Sequence, residues 1–159
     1  SSDVCSSDLV SRWLEGQNLG SMFLEKTGKS KENRIRLLMK AAETAAMIHG
    51  MGFIHGDLKW TNFLYAPDEP SDVVLSDLDH LNKSNSPANQ GKDLARFILS
   101  AVEFRLGKDV ENALADHYFN ARKNHSRELE GSMRYHVTRK KGRYENRNIV
   151  SGIGSGTIR

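Results

Sequence analysis

One stretch decides how this 159-residue chain is interpreted: Ile54-His55-Gly56-Asp57-Leu58-Lys59-Trp60-Thr61-Asn62, which we call the HGD loop. The apolar run Val73-Val74-Leu75 follows it, and Asp77 stands fifteen positions after Asn62. Taken singly, His-Gly-Asp is a common turn, because Gly tolerates positive φ and Asp favours turns. The order and spacing of these groups together favour a ligand-binding site over a plain turn.

The residue types in the HGD loop suit metal-assisted phosphoryl transfer. This reaction needs positioning of the reactants and neutralisation of charge on the phosphate oxygens. Asp57 is the candidate base for an attacking hydroxyl, and Lys59 is the candidate contact to the transferring phosphate. Asn62 and Asp77 offer the oxygen ligands that Mg²⁺ or Mn²⁺ prefers. We expect His55 to pack and hydrogen-bond within the loop and to take no part in the chemistry.

A long helix is predicted before the HGD loop. Ser30 is a candidate N-cap, and Glu32 lies in the first turn. Apolar residues at helical spacing then form one face: Ile35, Leu38, Met39, Ala42, Ala45, Ala46 and Ile48. We expect the helix to end near His49, where Gly50 or Gly52 can adopt the left-handed conformation.

The fold class predicted from these elements is α+β. Residues 62–65 and 73–75 are predicted as short strands, joined by a polar turn with two prolines. Helices are predicted over residues 92–105, 110–122 and 126–141. We therefore expect a mainly helical lobe with a short β-hairpin next to the HGD loop.

At this point the chain resembles the C-terminal lobe of the protein-kinase-like superfamily, and most closely the bacterial lipopolysaccharide kinase family, which includes core heptose kinases and 3-deoxy-octulosonate kinases. The matching segments are residues 54–62, 74–79 and 91–97. The likeness covers roughly residues 11–120. It implies that Asp57 is the catalytic base, that Asn62 and Asp77 bind metal, and that Asp93 supports the loop from a buried helix. The implied cofactors are ATP and Mg²⁺ or Mn²⁺.

Two departures from ordinary protein kinases favour a small acceptor. Gly56 stands where regulated kinases carry an Arg that pairs with a phosphorylated loop, so such activation is not expected. Asp93 follows Asp77 by only sixteen positions, and residues 82–89 between them are small and polar. We expect this short segment to be flexible and to form no peptide platform. The expected partners are thus a nucleotide and a sugar or lipid-linked acceptor.

Two other functions stay open. Aminoglycoside- and choline-kinase-like phosphotransferases also use His-Gly-Asp loops, although Lys59 and Trp60 weakly favour the first assignment. A non-catalytic pseudokinase or binding module is the alternative from a different class. The presence of all four chemical groups argues against that alternative.

The N-terminal residues predict a truncated protein. Residues 1–9 resemble a translated sequencing adaptor, are expected to be disordered and are excluded from fold reasoning. Residues 10–29 resemble the hinge between kinase lobes, with a short helix over 17–26, and the kinase-like lobe is assigned to residues 30–125. No Gly-rich phosphate loop or strand lysine precedes this lobe in the sequence, so we expect the N-terminal lobe to be absent and the fragment to be inactive alone.

Composition sets the remaining bounds. The single cysteine excludes a disulfide framework, the net charge is +3, and no apolar run approaches the roughly 18 residues of a membrane span. The default location is the cytoplasm. A basic C-terminal helical segment, residues 126–150, is either a solvated face or a contact with anionic lipid at the inner face of the membrane. Apart from Tyr135 and Tyr144 it lacks interleaved aromatics, so nucleic-acid binding is not expected, and residues 151–159 are expected to be disordered.

Overall fold

A computed structural model describes residues 16–24, 30–66 and 72–154. The predicted α+β class is confirmed: helices dominate, and short antiparallel strands accompany them. The helices are α1 (Ser21–Leu24), α2 (Lys31–Gly50), α3 (Pro87–Glu103), α4 (Lys108–Arg122) and α5 (Arg127–Gly154). The strands are β1 (Gln17–Asn18), β2 (Phe53–Ile54), β3 (Phe63–Tyr65), β4 (Val73–Leu75) and β5 (Asn82–Lys83).

Helix α2 begins and ends where the sequence predicts. The Ser30 hydroxyl accepts a hydrogen bond from the backbone N–H of Asn33 at 3.3 Å, which confirms the N-cap. After the helix, Gly52 adopts the left-handed conformation with φ of +81°. The predicted apolar face is buried from Leu38 to Ile48, whereas Ile35 and Met39 pack only at the edge of the core.

The predicted hairpin forms, and a third strand joins it. Strand β3 pairs antiparallel with β4, with Phe63 opposite Leu75. Strand β1 pairs with the other edge of β3, so Gln17 lies opposite Tyr65. The helix predicted over residues 17–26 is therefore wrong at its start. The carboxamide of Asn18 accepts the backbone N–H of Ser21 at 2.8 Å and so caps α1, which begins only at Ser21; residues 25–29 lie outside the described residues.

Helix α3 begins five residues earlier than predicted, at Pro87 instead of residue 92. Ser86 is its N-cap, since the hydroxyl of Ser86 accepts the N–H of Asn89 at 3.4 Å. Proline is preferred at the first helical position because its missing N–H is not needed there. The segment 82–89, predicted to be flexible, contains strand β5 and this helix start, so that prediction is wrong.

Helix α5 is longer than predicted. It continues to Gly154, so residues 151–154, predicted to be disordered, are helical, and residues 155–159 lie outside the described part. Its buried residues recur at helical spacing and pack on α3: Leu129, Met133, Val137 and Tyr144. The two helices approach closely at Gly91, where an added Cβ would lie 2.4 Å from the carbonyl oxygen of Leu129.

The core that supports the HGD loop is aromatic. Trp60 is fully buried and stacks on Phe104 at 5.6 Å with an interplanar angle of 8°. Phe97 meets the rings of Trp60 and Phe63 edge-on. The backbone N–H of Trp60 also donates to the Ser100 hydroxyl at 3.3 Å, so α3 holds this end of the loop. Within the described residues, no helix is both long and apolar enough to cross a membrane.

Candidate active site

The HGD loop turns sharply at Gly56, which has φ of +85°. A side chain would be strained in this left-handed conformation. A Cβ there would also lie 3.1 Å from both the Cβ atom and the carbonyl oxygen of His80. The loop then closes through two backbone hydrogen bonds, from Lys59 N–H to Asp57 O at 2.8 Å and from Asn62 N–H to Lys59 O at 3.0 Å. The local backbone conformation therefore explains why glycine stands at this position of the motif.

Asp93, in the second turn of α3, binds the backbone of the loop directly. One carboxylate oxygen accepts the N–H of His55 at 2.7 Å, and the other accepts the N–H of Gly56 at 3.0 Å. Asp93 is 5% exposed, so these charge-assisted bonds lie in a region shielded from water. The contacts agree with the support predicted for Asp93.

A third contact joins Asp93 to two residues that the sequence did not single out for the site. Nε2 of His49 donates to the carboxylate at 3.1 Å, and Nδ1 of the same ring accepts the Tyr118 hydroxyl at 2.7 Å. Both partners are buried. Burial raises the pKa of Tyr118 well above its ordinary value, so the phenol keeps its proton and remains a donor. One polar chain thus links α2, α3 and α4 to the loop.

His55 is fully buried, and both of its ring nitrogens have partners within the fold. Nε2 lies 2.9 Å from the carbonyl oxygen of Ser76. Because a carbonyl only accepts, this nitrogen carries the proton. Nδ1 then accepts the backbone N–H of Asp57 at 3.3 Å. These contacts agree with the structural part predicted for His55, and they tie the loop to the chain just before Asp77.

Asp57 and Lys59 form an ion pair, with Oδ2 and Nζ 2.6 Å apart. Nε of Arg96 lies 3.6 Å from the other carboxylate oxygen. Partial burial alone would raise the pKa of Asp57, but the hydrogen bond and charge of Lys59, with the charge of Arg96, hold that pKa below its usual value. The carboxylate is thus ionised and 30% exposed, as a group that accepts a proton or orients a hydroxyl must be.

Arg96 was not predicted as a site residue. A signal was available, because Arg96 stands one turn after Asp93 on the same helix and such residues share a face. Its guanidinium also lies 5.0 Å from the ring centroid of Tyr144 on α5. The sequence of the HGD loop alone does not indicate that an arginine from α3 contacts Asp57.

Asn62 and Asp77 lie on neighbouring chain segments. The amide nitrogen of Asn62 donates to the carbonyl of Asp57 at 2.8 Å, and the Asn62 side chain is buried. The carbonyl of Asn62 accepts the backbone N–H of Ser76 at 2.8 Å and its hydroxyl at 3.0 Å. Asp77 follows directly, exposed and left-handed with φ of 57° and ψ of 58°. Non-glycine residues in this conformation concentrate at functional sites.

The donor set fits a magnesium ion only if the nucleotide supplies further ligands. Among the described residues, no cluster of three or more His, Cys, Asp and Glu side chains is arranged to hold a metal. Mg²⁺ is commonly held by one or two protein groups together with phosphate oxygens and water. One amide oxygen at Asn62 and one exposed carboxylate at Asp77 meet that requirement.

The described structure therefore brings the predicted residues into one hydrogen-bonded unit. His55, Asp57 and Asn62 share the loop, Asp93 holds its backbone, and Asp77 adjoins through Ser76. Of the predicted hinge-like segment 10–29, residues 10–15 and 25–29 lie outside the described part. No family model matches the chain.

Proposed function

We propose that this chain is the catalytic lobe of a kinase-like phosphotransferase. It transfers the γ-phosphoryl group of ATP to a hydroxyl of a sugar or lipopolysaccharide-type acceptor. The reaction forms a bond between the acceptor oxygen and the γ-phosphorus and breaks the bond from that phosphorus to the bridging oxygen of ADP. The hydroxyl proton leaves through Asp57.

One observation supports this proposal above the others. The buried carboxylate of Asp93 accepts two consecutive backbone N–H groups, from His55 and Gly56, immediately before Asp57. An ordinary surface turn has no need of a buried charge devoted to its backbone, since water can satisfy those groups. A loop that must hold a reacting group in a fixed geometry does need such support.

The electrostatics of Asp57 are consistent with this role. The carboxylate is ionised, partly exposed and oriented by Lys59 and Arg96. Lys59 also lies close enough to contact a phosphate brought to Asp57, and its charge would offset the charge on the transferring group. A peptide acceptor is not favoured, because the chain between Asp77 and Asp93 is occupied by a short helical turn, strand β5 and the start of α3.

Asn62 and Asp77 would hold Mg²⁺ or Mn²⁺, which neutralises the nucleotide phosphates when bound. We place the enzyme in the cytoplasm, where ATP is available. Contact with an anionic membrane surface is a smaller part of the proposal, because the basic residues of α5 divide among several surroundings. Arg134 pairs with Glu130 and Lys141 with Glu111, whereas Lys140 lines a cleft.

Metal binding is the first test, and it does not require turnover. The chain labelled with ¹⁵N is titrated with Mn²⁺ in the presence of ATP, and paramagnetic broadening of amide signals is measured. We expect broadening to be strongest near Asn62 and Asp77 and to be lost in Asp77→Ala. Asp79→Ala removes an exposed carboxylate two residues away and is the matched control. Equal broadening in Asp77→Ala would contradict the metal assignment.

Phosphoryl transfer is the second test. Transfer from ATP to sugar acceptors is measured for this chain and for a form extended at its N-terminus. We expect turnover in the extended form and a loss of at least about a hundredfold in Asp57→Asn. Turnover within about tenfold of the parent would remove the base assignment, and failure of both forms to bind ATP would favour a non-catalytic binding module.

A further inference from the structure

A second feature adjoins the HGD loop. It is a cleft of about 220 Å³ between the HGD loop, α3 and α5. Gly56 and three basic side chains line it: Lys92 and Arg96 from α3, and Lys140 from α5. Asn62 and Asp77 are not among its lining residues. The cleft is therefore separate from the groups expected to hold metal and nucleotide phosphates.

Two of the three basic side chains of this cleft are without an ion-pair partner among the described residues, whereas Arg96 pairs with Asp57 and Glu103. In the described part of the chain, Lys92 and Lys140 make no ion pair. Asp93 also lines the cleft, but its oxygens are occupied by His55, Gly56 and His49. The nearest carboxylate on the rim, Asp57, is already shared between Lys59 and Arg96.

The basic groups around Lys140 repel one another. Burial lowers the pKa of Lys140, and the charges of Lys92, Arg139, Arg143 and Arg96 lower it further. Lysines held this close without a counter-ion are destabilising, and a bound anion would relieve the repulsion.

His136 gives a second observation about the basic groups of this cleft. It precedes Lys140 by one helical turn, and both therefore lie on the same face of α5. Its Nδ1 atom is buried and has no hydrogen-bond partner. Burial lowers the pKa of His136, and Lys140, Lys92 and Arg139 lower it further. The basic groups around the cleft therefore also act on His136.

We propose that this cleft binds an anionic group of the acceptor, a phosphate or a carboxylate, and so selects acidic sugars. Its attribution to the acceptor rests on the proposed phosphotransferase function. Lys92 and Lys140 would bind the anion, and Arg96, whose Nε atom lies 3.6 Å from the Asp57 carboxylate, would connect the anion to that residue. An anion fixed here holds a hydroxyl of the same molecule near Asp57.

The test is a binding measurement without ATP on the full chain labelled with ¹⁵N. Glucose 6-phosphate and glucuronate present a phosphate and a carboxylate, and glucose is the neutral control. We expect the two acidic sugars to shift the amide signals of Gly56, Lys92 and Lys140, and we expect no such shifts with glucose. In the variant Lys92→Gln/Lys140→Gln the affinity should fall by about tenfold or more, because charge-assisted bonds are lost.

A matched variant controls for net charge. Lys31→Gln/Arg127→Gln removes two exposed positive charges at the starts of α2 and α5, away from the cleft. Its affinity should stay within about twofold of the parent, because screened surface charges contribute little. An equal loss in both variants, unchanged affinity in Lys92→Gln/Lys140→Gln, or equal binding of glucose would overturn the proposal.

Two further measurements complete the test. The first distinguishes a sugar from a lipid as the source of the anion, and the second distinguishes the anion site from the proposed phosphotransferase function. Sedimentation of the protein with phosphatidylglycerol vesicles should not depend on Lys92 and Lys140. If it does depend on them, and the acidic sugars do not bind, the cleft binds a lipid surface and the acceptor site is overturned. If Lys92→Gln/Lys140→Gln transfers phosphate normally and binds the sugars as the parent does, only the anion site is overturned. If that variant loses anion binding but no form of the protein transfers phosphate, only the phosphotransferase proposal is overturned.

Discussion

The two sides of the HGD loop are built differently. On the inner side, Asp93, His49, Tyr118 and His55 are buried, and their hydrogen bonds join one to another or to the backbone. On the outer side, Asp57 and Lys59 are partly exposed and Asp77 is exposed. The inner side therefore has the features of support, and the outer side keeps groups available to a ligand.

This difference predicts a separation of effects. Substitutions on the inner side remove bonds that water cannot replace, so they should lower the free energy of unfolding. Substitutions on the outer side remove groups that water already solvates, so they should leave stability nearly unchanged and act on ligand binding. The predictions below test that separation, beginning with the largest effect on stability.

Asp93→Ala should have the largest effect. It leaves the N–H groups of His55 and Gly56 and the Nε2 atom of His49 without their acceptor, and the two histidines are buried. We expect the free energy of unfolding to fall by roughly 3–5 kcal/mol, measured by urea denaturation. The control Asp79→Ala removes an exposed carboxylate and should change stability by no more than about 0.5 kcal/mol. Similar values for both variants would remove the distinction between the two sides.

Gly91→Ala should be the next largest, and it tests how α5 is held against α3. The new Cβ would lie 2.4 Å from the Leu129 carbonyl oxygen and 3.0 Å from the backbone nitrogen of Met133, so α5 would have to shift. We expect a loss of about 1–3 kcal/mol in the free energy of unfolding. Gly131→Ala adds the same methyl group to α5 where nothing lies within 4 Å. That control should be neutral or stabilising by up to about 1 kcal/mol, and a loss in both would contradict the close crossing.

Tyr118→Phe should cost less, about 1–2 kcal/mol, because only the hydrogen bond to His49 is lost. It also carries a pH signature. Burial raises the pKa of Tyr118 above its ordinary value of 10.0, so above about pH 10 the unfolded chain releases this proton before the folded chain does. The contribution is complete below that pH, and stability falls as the pH rises further. Denaturation is measured from about pH 8 to about pH 11. The free energy of unfolding should decline less steeply with pH in Tyr118→Phe than in the parent. Parallel curves would refute the assignment.

Asp57→Asn should have the smallest effect on stability, below about 1 kcal/mol, because its ion pairs are partly solvated. The pKa of Asp57 lies below its ordinary value of 3.8. The stabilisation is therefore present above that pH and is lost as the pH falls through the lower, folded value. Acid denaturation should be slightly shallower in the variant than in the parent. A large loss of stability at neutral pH would mean that Asp57 is a structural residue.

Local features of the chain were predicted well where the signal lay within a few residues. The N-cap at Ser30, the left-handed Gly52 and the pairing of residues 63–65 with 73–75 each depend on short-range rules of conformation. Misses were also local. The Ser86-Pro87 start of α3 was a recognisable cap that was overlooked, and the helix predicted at Gln17 gave way to a strand because β3 had a free edge.

The supporting network could not be predicted from spacing. His49 contacts Tyr118 across 69 positions and Asp93 across 44 positions, and no periodicity in the sequence pairs residues at such distances. The same holds for Arg96, whose contact with Asp57 requires α3 to pass beneath the loop. The catalytic and metal-binding roles of Asp57, Lys59, Asn62 and Asp77 stay predictions.

By itself, the sequence predicted the residues for the proposed chemistry and the start of α2, because motif order, capping and hydrophobic period depend on residues within a few turns of chain. Only the tertiary structure decided that the buried carboxylate of Asp93 binds the loop backbone, that Arg96 approaches Asp57, and that α5 closes a basic cleft beside the loop. Those features depend on the crossing of helices distant in sequence, and the close approach at Gly91 is where that crossing is made.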